Sequence, residues 1–283
     1  MLFLKNAYED VSATIKENTI LKSDLTGDGR EDTLYINTES DKYYLQINDG
    51  DRAYSILPDR KLNTLGHYYP YNPMKISLMD ITRDKVPEVI VQAMEKGSPI
   101  QHIFSWNGFE FSDLFCSNNN IMGVIDSKNN RTPKLASGLL SVSSINLSCY
   151  MQLGMKFEKI NYNDNIPGKN EIVTFVNYIQ SLPTGENNKP VDIFYPGITG
   201  SDLSLIGRLA SDGKYYKFND GFFTDTRFNK DGEATEYRWT INFKAVPIGK
   251  DGESDQISIV VKLKRSSEDE HPFKIYSIAK NTY

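Results

Sequence analysis

The sequence predicts a mainly β chain, with three short β repeats followed by an α+β domain, and three observations lead there. The first is an oxygen-rich loop, Asp24-Leu25-Thr26-Gly27-Asp28-Gly29-Arg30-Glu31-Asp32, that runs straight into the strand-like Thr33-Leu34-Tyr35-Ile36. The second is that the loop recurs with matching flanks, the mark of an internal repeat. The third is a change of hydrophobic period after residue 162, first to a helical spacing and then to sustained alternation.

In chain order, residues 5–16 come first. Ala7, Val11 and Ile15 stand at helical spacing there, which predicts a short helix, within residues 1–17, covering the first repeat. The loop follows. It places oxygen-bearing side chains at positions 1, 3, 5 and 9 and a glycine at position 6. Ca²⁺ takes about six to eight oxygens, and a tight turn with alternating acidic positions supplies them. The predicted ligands are Asp24, Thr26, Asp28, the main-chain carbonyl of Arg30, and Asp32. An EF-hand would carry a bidentate Glu at position 12 and leave by a helix. Tyr35 stands there, inside a strand.

The second loop, Asp80-Ile81-Thr82-Arg83-Asp84-Lys85-Val86-Pro87-Glu88, begins 56 residues later (80 − 24) and leads into Val89-Ile90-Val91. Its ligands would be Asp80, Thr82, Asp84, the Val86 carbonyl and Glu88, with weaker binding because Lys85 replaces the position-6 glycine. A third copy starts 46 residues on (126 − 80), at Asp126. Lys128 and Lys134 occupy its positions 3 and 9, so either an ammonium stands in for the ion, donating to Asp126 and to turn carbonyls, or both lysines face solvent and Asp126 starts an Asx-turn. Ile76, Leu78 and Met79 lead into the second loop, and Met122, Val124 and Ile125 into the third. Gly108-Phe109-Glu110-Phe111 and Gly154-Met155-Lys156-Phe157 each lie 28 residues beyond their loop's first Asp (108 − 80 and 154 − 126).

With these motifs the chain, over about residues 18–162, resembles the FG-GAP or VCBS repeats of integrin-type β-propellers and bacterial surface proteins. Blades of that family carry Asp-x-Asp-x-Asp-Gly-x-x-Asp calcium loops between strands. The resemblance implies propeller-blade-like repeats with Ca²⁺ as cofactor, although Thr26 and Thr82 depart from the family's second acidic ligand. Closed propellers take about four to eight blades. Three repeats therefore predict an incomplete propeller whose open edge is covered by another part of the chain or by a partner.

Composition narrows the function. A chain of 283 residues with net charge −5 and no Lys/Arg stripe is unsuited to a phosphate backbone, which sets nucleic acid aside. No apolar run approaches the ~20 residues of a transmembrane segment. Met1-Leu2-Phe3-Leu4-Lys5 is too short for a signal core. Either the protein is cytosolic or its leader lies outside this chain, and the second, an extracytoplasmic protein, is the expectation because weak calcium loops suit millimolar calcium. Cys116 and Cys149, at corresponding ends of neighbouring repeats, read as buried thiols rather than a disulfide. Residues 58–74, with His67, Tyr68, Tyr69, Pro70, Tyr71 and Pro73, read as cover for a sheet edge ahead of a sugar or peptide contact.

Residues 163–169, Asn163-Asp164-Asn165-Ile166-Pro167-Gly168 and Lys169, are linker chemistry. Ile172, Phe175, Val176, Ile179 and Leu182 then mark one face of a helix stopped by Pro183. A second helix is expected from Ser201 as N-cap, through Leu205, Ile206 and Leu209, to Gly213. Tyr237, Trp239, Ile241 and Phe243 alternate with polar residues, Ile257, Ile259, Val261 and Leu263 alternate with polar or smaller neighbours, and residues 273–278 make a last strand. Asp231-Gly232 and Asp251-Gly252 are the turns.

Residues 170–283 therefore predict an α+β domain of helices packed on a curved antiparallel sheet. In element order it resembles the cone-shaped nuclear-transport-factor-two-like superfamily, which includes ketosteroid isomerase. That resemblance implies a second reading, a small-molecule-binding protein or enzyme with a carboxy-terminal pocket. Asp192, Asp202, Asp220, Asp225, Tyr195, Tyr215 and Tyr237 are its candidates by type, at no diagnostic spacing. His67, His102 and His271 are scattered, and no zinc pair, nucleophile elbow, phosphate loop or dinucleotide fingerprint is present. The favoured reading is a non-enzymatic, calcium-stabilised module that binds a protein or a glycan.

Overall fold

A computed structural model describes residues 11–14, 19–50, 52–58, 60–126, 132–161, 166–249, 252–266 and 273–281. The chain is mainly β. Strand β1 (Val11–Thr14) is followed by β2 (Thr19–Ser23), β3 (Asp32–Glu39), β4 (Lys42–Asp49) and β5 (Arg52–Ile56), and β2 to β5 form an antiparallel meander. A second meander comprises β6 (Lys75–Met79), β7 (Glu88–Glu95), β8 (Ser98–Trp106) and β9 (Phe111–Ser117). A third comprises β10 (Ile121–Ile125), β11 (Lys134–Leu140), β12 (Ile145–Gln152) and β13 (Phe157–Ile160). Two helices come next, α1 (Lys169–Ser181) and α2 (Gly200–Ser211). Long strands β14 (Lys214–Phe228), β15 (Ala234–Pro247), β16 (Asp255–Arg265) and β17 (Phe273–Lys280) end the chain.

The second sheet is covered on both faces. Successive strand residues point to opposite sides, so Val89 and Val91 of β7 join Leu34, Ile36 and Leu45 of the first sheet, while Ile90 joins Met122, Val124 and Leu135 of the third. The third meander is covered in the same way. Ile121, Ile125 and Ala136 face the core built by α1, α2 and the last strands, where Phe175, Val176 and Leu205 pack with Phe223, Trp239 and Phe243. The turns that open β9 and β13 repeat as well: Asn107 N–H donates to the Glu110 carbonyl at 3.1 Å, and Leu153 N–H to that of Lys156 at 2.9 Å.

Where the amino-terminal helix was expected, residues 11–14 form β1, paired antiparallel with β6; the remainder of residues 1–17 lies outside the described residues. Three apolar residues at helical spacing hold a helix weakly, whereas the β6 edge offers a ladder of main-chain hydrogen bonds. The cap of α2 is Thr199 rather than Ser201. Thr199 has the extended backbone that an N-cap needs, and its Oγ1 accepts the Asp202 N–H at 3.3 Å. Helix α1 keeps its expected apolar face, with Ile172, Phe175, Val176 and Ile179 buried.

Strand β10 pairs in parallel with β14, so the third meander and the last four strands make one eight-stranded sheet, in the order β13-β12-β11-β10-β14-β15-β16-β17. That sheet spans both sides of the expected linker. Gly123 lies opposite Phe223 at this junction, and a β-carbon there would stand 2.4 Å from the Phe223 ring. A buried polar lock ties the second sheet to the same strands. Lys75 Nζ donates to Asp220 Oδ2 at 2.7 Å and Asn242 Nδ2 to Asp220 Oδ1 at 2.7 Å, while Gln92 Nε2 reaches the Gly221 carbonyl at 3.3 Å. Burial pulls the Lys75 ammonium below its usual range, and the Asp220 charge opposes that. His67 bridges Lys42 of β4 and Met94 of β7, so the aromatic segment covers the seam between the first two sheets. No helix among the described residues is long and apolar enough to cross a membrane.

Candidate metal loops

The two loops connect equivalent strands, β2 to β3 and β6 to β7, and close by similar hydrogen bonds, identical at positions 5 and 9 and shifted by one donor at position 1. At position 9, Asp32 Oδ2 accepts the N–H groups of Leu25 and Thr26 at 2.7 and 2.9 Å, and Glu88 Oε2 accepts those of Ile81 and Thr82 at 2.7 and 3.2 Å. At position 1, Asp24 takes the N–H groups of Gly27 and Gly29, one on each oxygen, at 2.7 and 3.0 Å. Asp80 takes those of Asp84 and Lys85, both at 3.1 Å. At position 5, Asp28 and Asp84 each accept the N–H of position 7 at 2.8 Å. Alternating acidic residues thus fold the turn by caging its main-chain donors, leaving their remaining lone pairs for a cation.

Three differences separate the loops. Gly27 and Gly29 stand at φ 74° and 85°, and Arg83 and Lys85 take the corresponding left-handed conformations at 64° and 78°, where a β-carbon is strained. In the first loop Asp32 Oδ1 and Thr26 Oγ1 are buried and have no partner beyond the contact between their own two side chains. In the second loop only Thr82 Oγ1 is in that condition, because Glu88 Oε1 accepts the Ser105 hydroxyl at 3.2 Å. The third difference is charge. Arg30 Nε donates to Asp28 Oδ2 at 2.7 Å and its Nη2 reaches Asp49 at 3.2 Å, so a guanidinium already sits on the position-5 carboxylate.

Burial raises both position-9 acids: the Asp32 carboxyl sits above its ordinary range, and that of Glu88 is pushed up to about 7. The Arg30 hydrogen bond holds the Asp28 carboxyl low. A hard divalent cation wants oxygen donors and answers buried, unpaired ones. The first loop fits on both counts: its donors are all oxygens, and two of them are buried with no partner beyond their own two side chains. Among the described residues no three His, Cys, Asp or Glu side chains stand together as a ready-made metal cluster. Binding in the first loop would therefore draw Asp24, Asp28 and Asp32 together and move Arg30 off Asp28.

The loops touch in series. A β-carbon on Gly27 would lie 2.6 Å from Val86 Cγ2 of the second loop. Arg83 of the second loop reaches Asp126 Oδ2 of the third at 3.3 Å, and Asp126 N–H donates to Asp225 Oδ2 at 2.6 Å. Lys128 lies outside the described residues. Lys134 Nζ donates to the Thr132 carbonyl at 3.3 Å.

The carboxy-terminal candidates do not converge. Asp220 pairs with Lys75, Asp225 is buried against Asp126, Asp202 sits at the exposed start of α2, and Tyr237 is packed in the core. Asp192 is exposed and Tyr215 largely so. Two networks escaped sequence reasoning. One is the Lys75–Asp220 lock. The other joins His102, between Asp113 at 2.7 Å and the Thr64 carbonyl at 2.9 Å, to a Thr64–Glu95–His67 chain. The available signal was a polar residue inside an apolar run, Lys75 in Met74-Lys75-Ile76 and His102 in Ile100-Gln101-His102-Ile103. Cys116 and Cys149 are not joined in a disulfide.

No family model matches the chain, and no curated protein matches it. Among solved structures, a crystal structure of a protein from Lactobacillus plantarum is similar at 10% identity and a TM-score of 0.26, over 94% of this chain and 85% of that one. A likeness so slight carries no argument about fold or function.

Proposed function

We propose that this chain is a non-enzymatic, calcium-stabilised binding module of extracytoplasmic proteins, with a protein or glycan as its ligand. In this reading the three meanders are propeller-blade-like repeats of an incomplete propeller, and strands β14 to β17 with their helices cover its open edge. The observation that carries it is the repeated carboxylate cage in loops 24–32 and 80–88, together with the buried Asp32 Oδ1 and Thr26 Oγ1 of the first, which have no partner beyond their own two side chains. Calcium would be held by Asp24, Thr26, Asp28, the Arg30 carbonyl and Asp32. Its charge would offset the crowding of three carboxylates in one turn and would brace the first sheet against the second through Gly27 and Val86.

Thermal melts in millimolar calcium and in chelator test the reading. With a Kd near about 0.1 mM, calcium at about 1 mM adds RT ln(1 + 10), or about 1.4 kcal/mol, to stability. Melting curves that superimpose in calcium and in chelator would refute it.

A further inference from the structure

We propose that loops 24–32 and 80–88 are coupled, so that calcium in either one raises the affinity of the other, and that the contact between Gly27 and Val86 carries the coupling. This regulation rests on the reading of both loops as calcium sites. It gives the strained second loop a way to fill once the first is occupied.

The contact is built from the ligand sets themselves. Gly27 is position 4 of the first loop, between the ligands Thr26 and Asp28, and its N–H donates to Asp24 Oδ1 at 2.7 Å. Val86 is position 7 of the second loop, where its own carbonyl is a ligand, and its N–H donates to Asp84 Oδ1 at 2.8 Å. A line from Asp24 through Gly27 and Val86 to Asp84 therefore joins one site to the other, with a hydrogen bond at each end and a van der Waals contact in the middle. The middle is tight. A β-carbon on Gly27 would stand 2.6 Å from Val86 Cγ2, well inside the separation that two carbons prefer. Valine is stiff at χ1 and has no flexible end to swing aside. Neither loop can shift its main chain here without pushing the other or losing it.

Two effects set the sign. Calcium that draws in Asp24 and Asp28 fixes the Gly27 main chain between them, and a fixed Gly27 steadies Val86, so the second ion meets a carbonyl that has already lost part of its freedom. Charge acts the other way, because a filled loop has cancelled carboxylates that would attract the next ion. Between exposed loops that attraction is screened over about 8 Å at physiological salt, whereas a packing contact is not. The coupling is therefore positive, and by linkage it is equal in both directions. The backbone gives it an order. The first loop has glycine at both left-handed positions and fills first; the second, with Arg83 and Lys85 there at φ 64° and 78°, gains most from a neighbour already in place.

The test is calorimetric titration with calcium chloride, at physiological salt, of the full chain, of Asp28→Ala, which blocks the first loop, and of Asp80→Asn, which blocks the second. Asp28 accepts from Arg30, and Asp80 from Asp84 and Lys85, so neither change removes a hydrogen bond of Gly27 or Val86. Each loop should bind about fivefold more tightly in the parent chain than where its neighbour is blocked, with one ratio in both directions. Val86→Ala keeps the carbonyl ligand and the N–H and removes the touching methyl of a half-buried side chain. Added to all three proteins, it should bring both ratios to about one while calcium still binds. A readout independent of affinity is the Val86 methyl NMR signal of Asp80→Asn, which should shift as calcium fills the first loop alone. Ratios of one in the parent chain, unequal ratios, ratios that survive Val86→Ala, or a Val86 methyl signal that stays still overturn the coupling even where calcium binds. A parent chain that gives no calcium heat overturns the calcium reading itself, and the coupling with it.

Discussion

In loop 24–32 the position-9 carboxylate uses one oxygen on two main-chain N–H groups and has no side-chain partner outside the loop; in loop 80–88 the equivalent carboxylate uses both oxygens, the second on Ser105 of a neighbouring strand. The cages are otherwise alike. Two loops can therefore share a spacing and a backbone path yet differ in the oxygens they leave over. What separates them is a serine on β8, two residues with β-carbons at positive φ, and an arginine at position 7 of the first loop only.

The largest effect is expected from Asp32→Ala. It leaves the Leu25 and Thr26 N–H groups without their acceptor, which costs about 2 kcal/mol even in chelator, and it also abolishes the calcium response of the melt. Loss of the calcium response without loss of stability in chelator would break the argument that one side chain serves both purposes.

The pH dependence should come next and should belong to the second loop. Burial pushes the Glu88 carboxyl up to about 7, so the folded chain holds a proton that the unfolded chain has already released. The stability tied to that proton is full below the ordinary glutamate range and is lost as pH rises through about 7. Denaturant melts in chelator should lose on the order of 1–2 kcal/mol between acid and alkaline arms, and Glu88→Gln should flatten the slope. A slope that persists in Glu88→Gln would assign the titration elsewhere.

Lys85→Gly relieves a left-handed residue at φ 78°. It should stabilise the chain by about 1 kcal/mol and strengthen calcium binding in the second loop, narrowing the gap between the two. A destabilised Lys85→Gly protein would mean that the lysine makes a contact worth more than the strain. The smallest change is expected from Arg30→Gln, which frees Asp28 of a guanidinium. Surface ion pairs are weak, so calcium affinity should rise by only about two- to fivefold, and a fall on titration would make Arg30 a helper instead.

Much of this was legible because it is local. The Asp and Gly spacing at 24–32 and the apolar run at 89–91 specify a turn and the strand after it without reference to the rest of the chain. The alternation from Tyr237 to Phe243 and the face of α1 from Ile172 to Ile179 were readable for the same reason. What escaped was long-range. Nothing near Gly123 announces that Phe223 will pack over it, and the parallel pairing of β10 with β14 joins segments about a hundred residues apart in sequence. Val11 and Ile15 suggested a helix because β6, the partner that makes β1 a strand, lies far along the chain. In the candidate loops the carboxylates that cage the turn were readable, but the engagement of Glu88 by Ser105 was not, since Ser105 sits on a strand that only the fold brings near.

The central claim, that the first loop takes calcium in preference to the second, is tested most directly by isothermal calorimetry on two exposed variants, Asp28→Ala and Asp84→Ala, beside the parent chain. The tighter binding event should disappear in Asp28→Ala and survive in Asp84→Ala. Equal loss in both, survival in Asp28→Ala alone, or no calcium heat in the parent chain would contradict it.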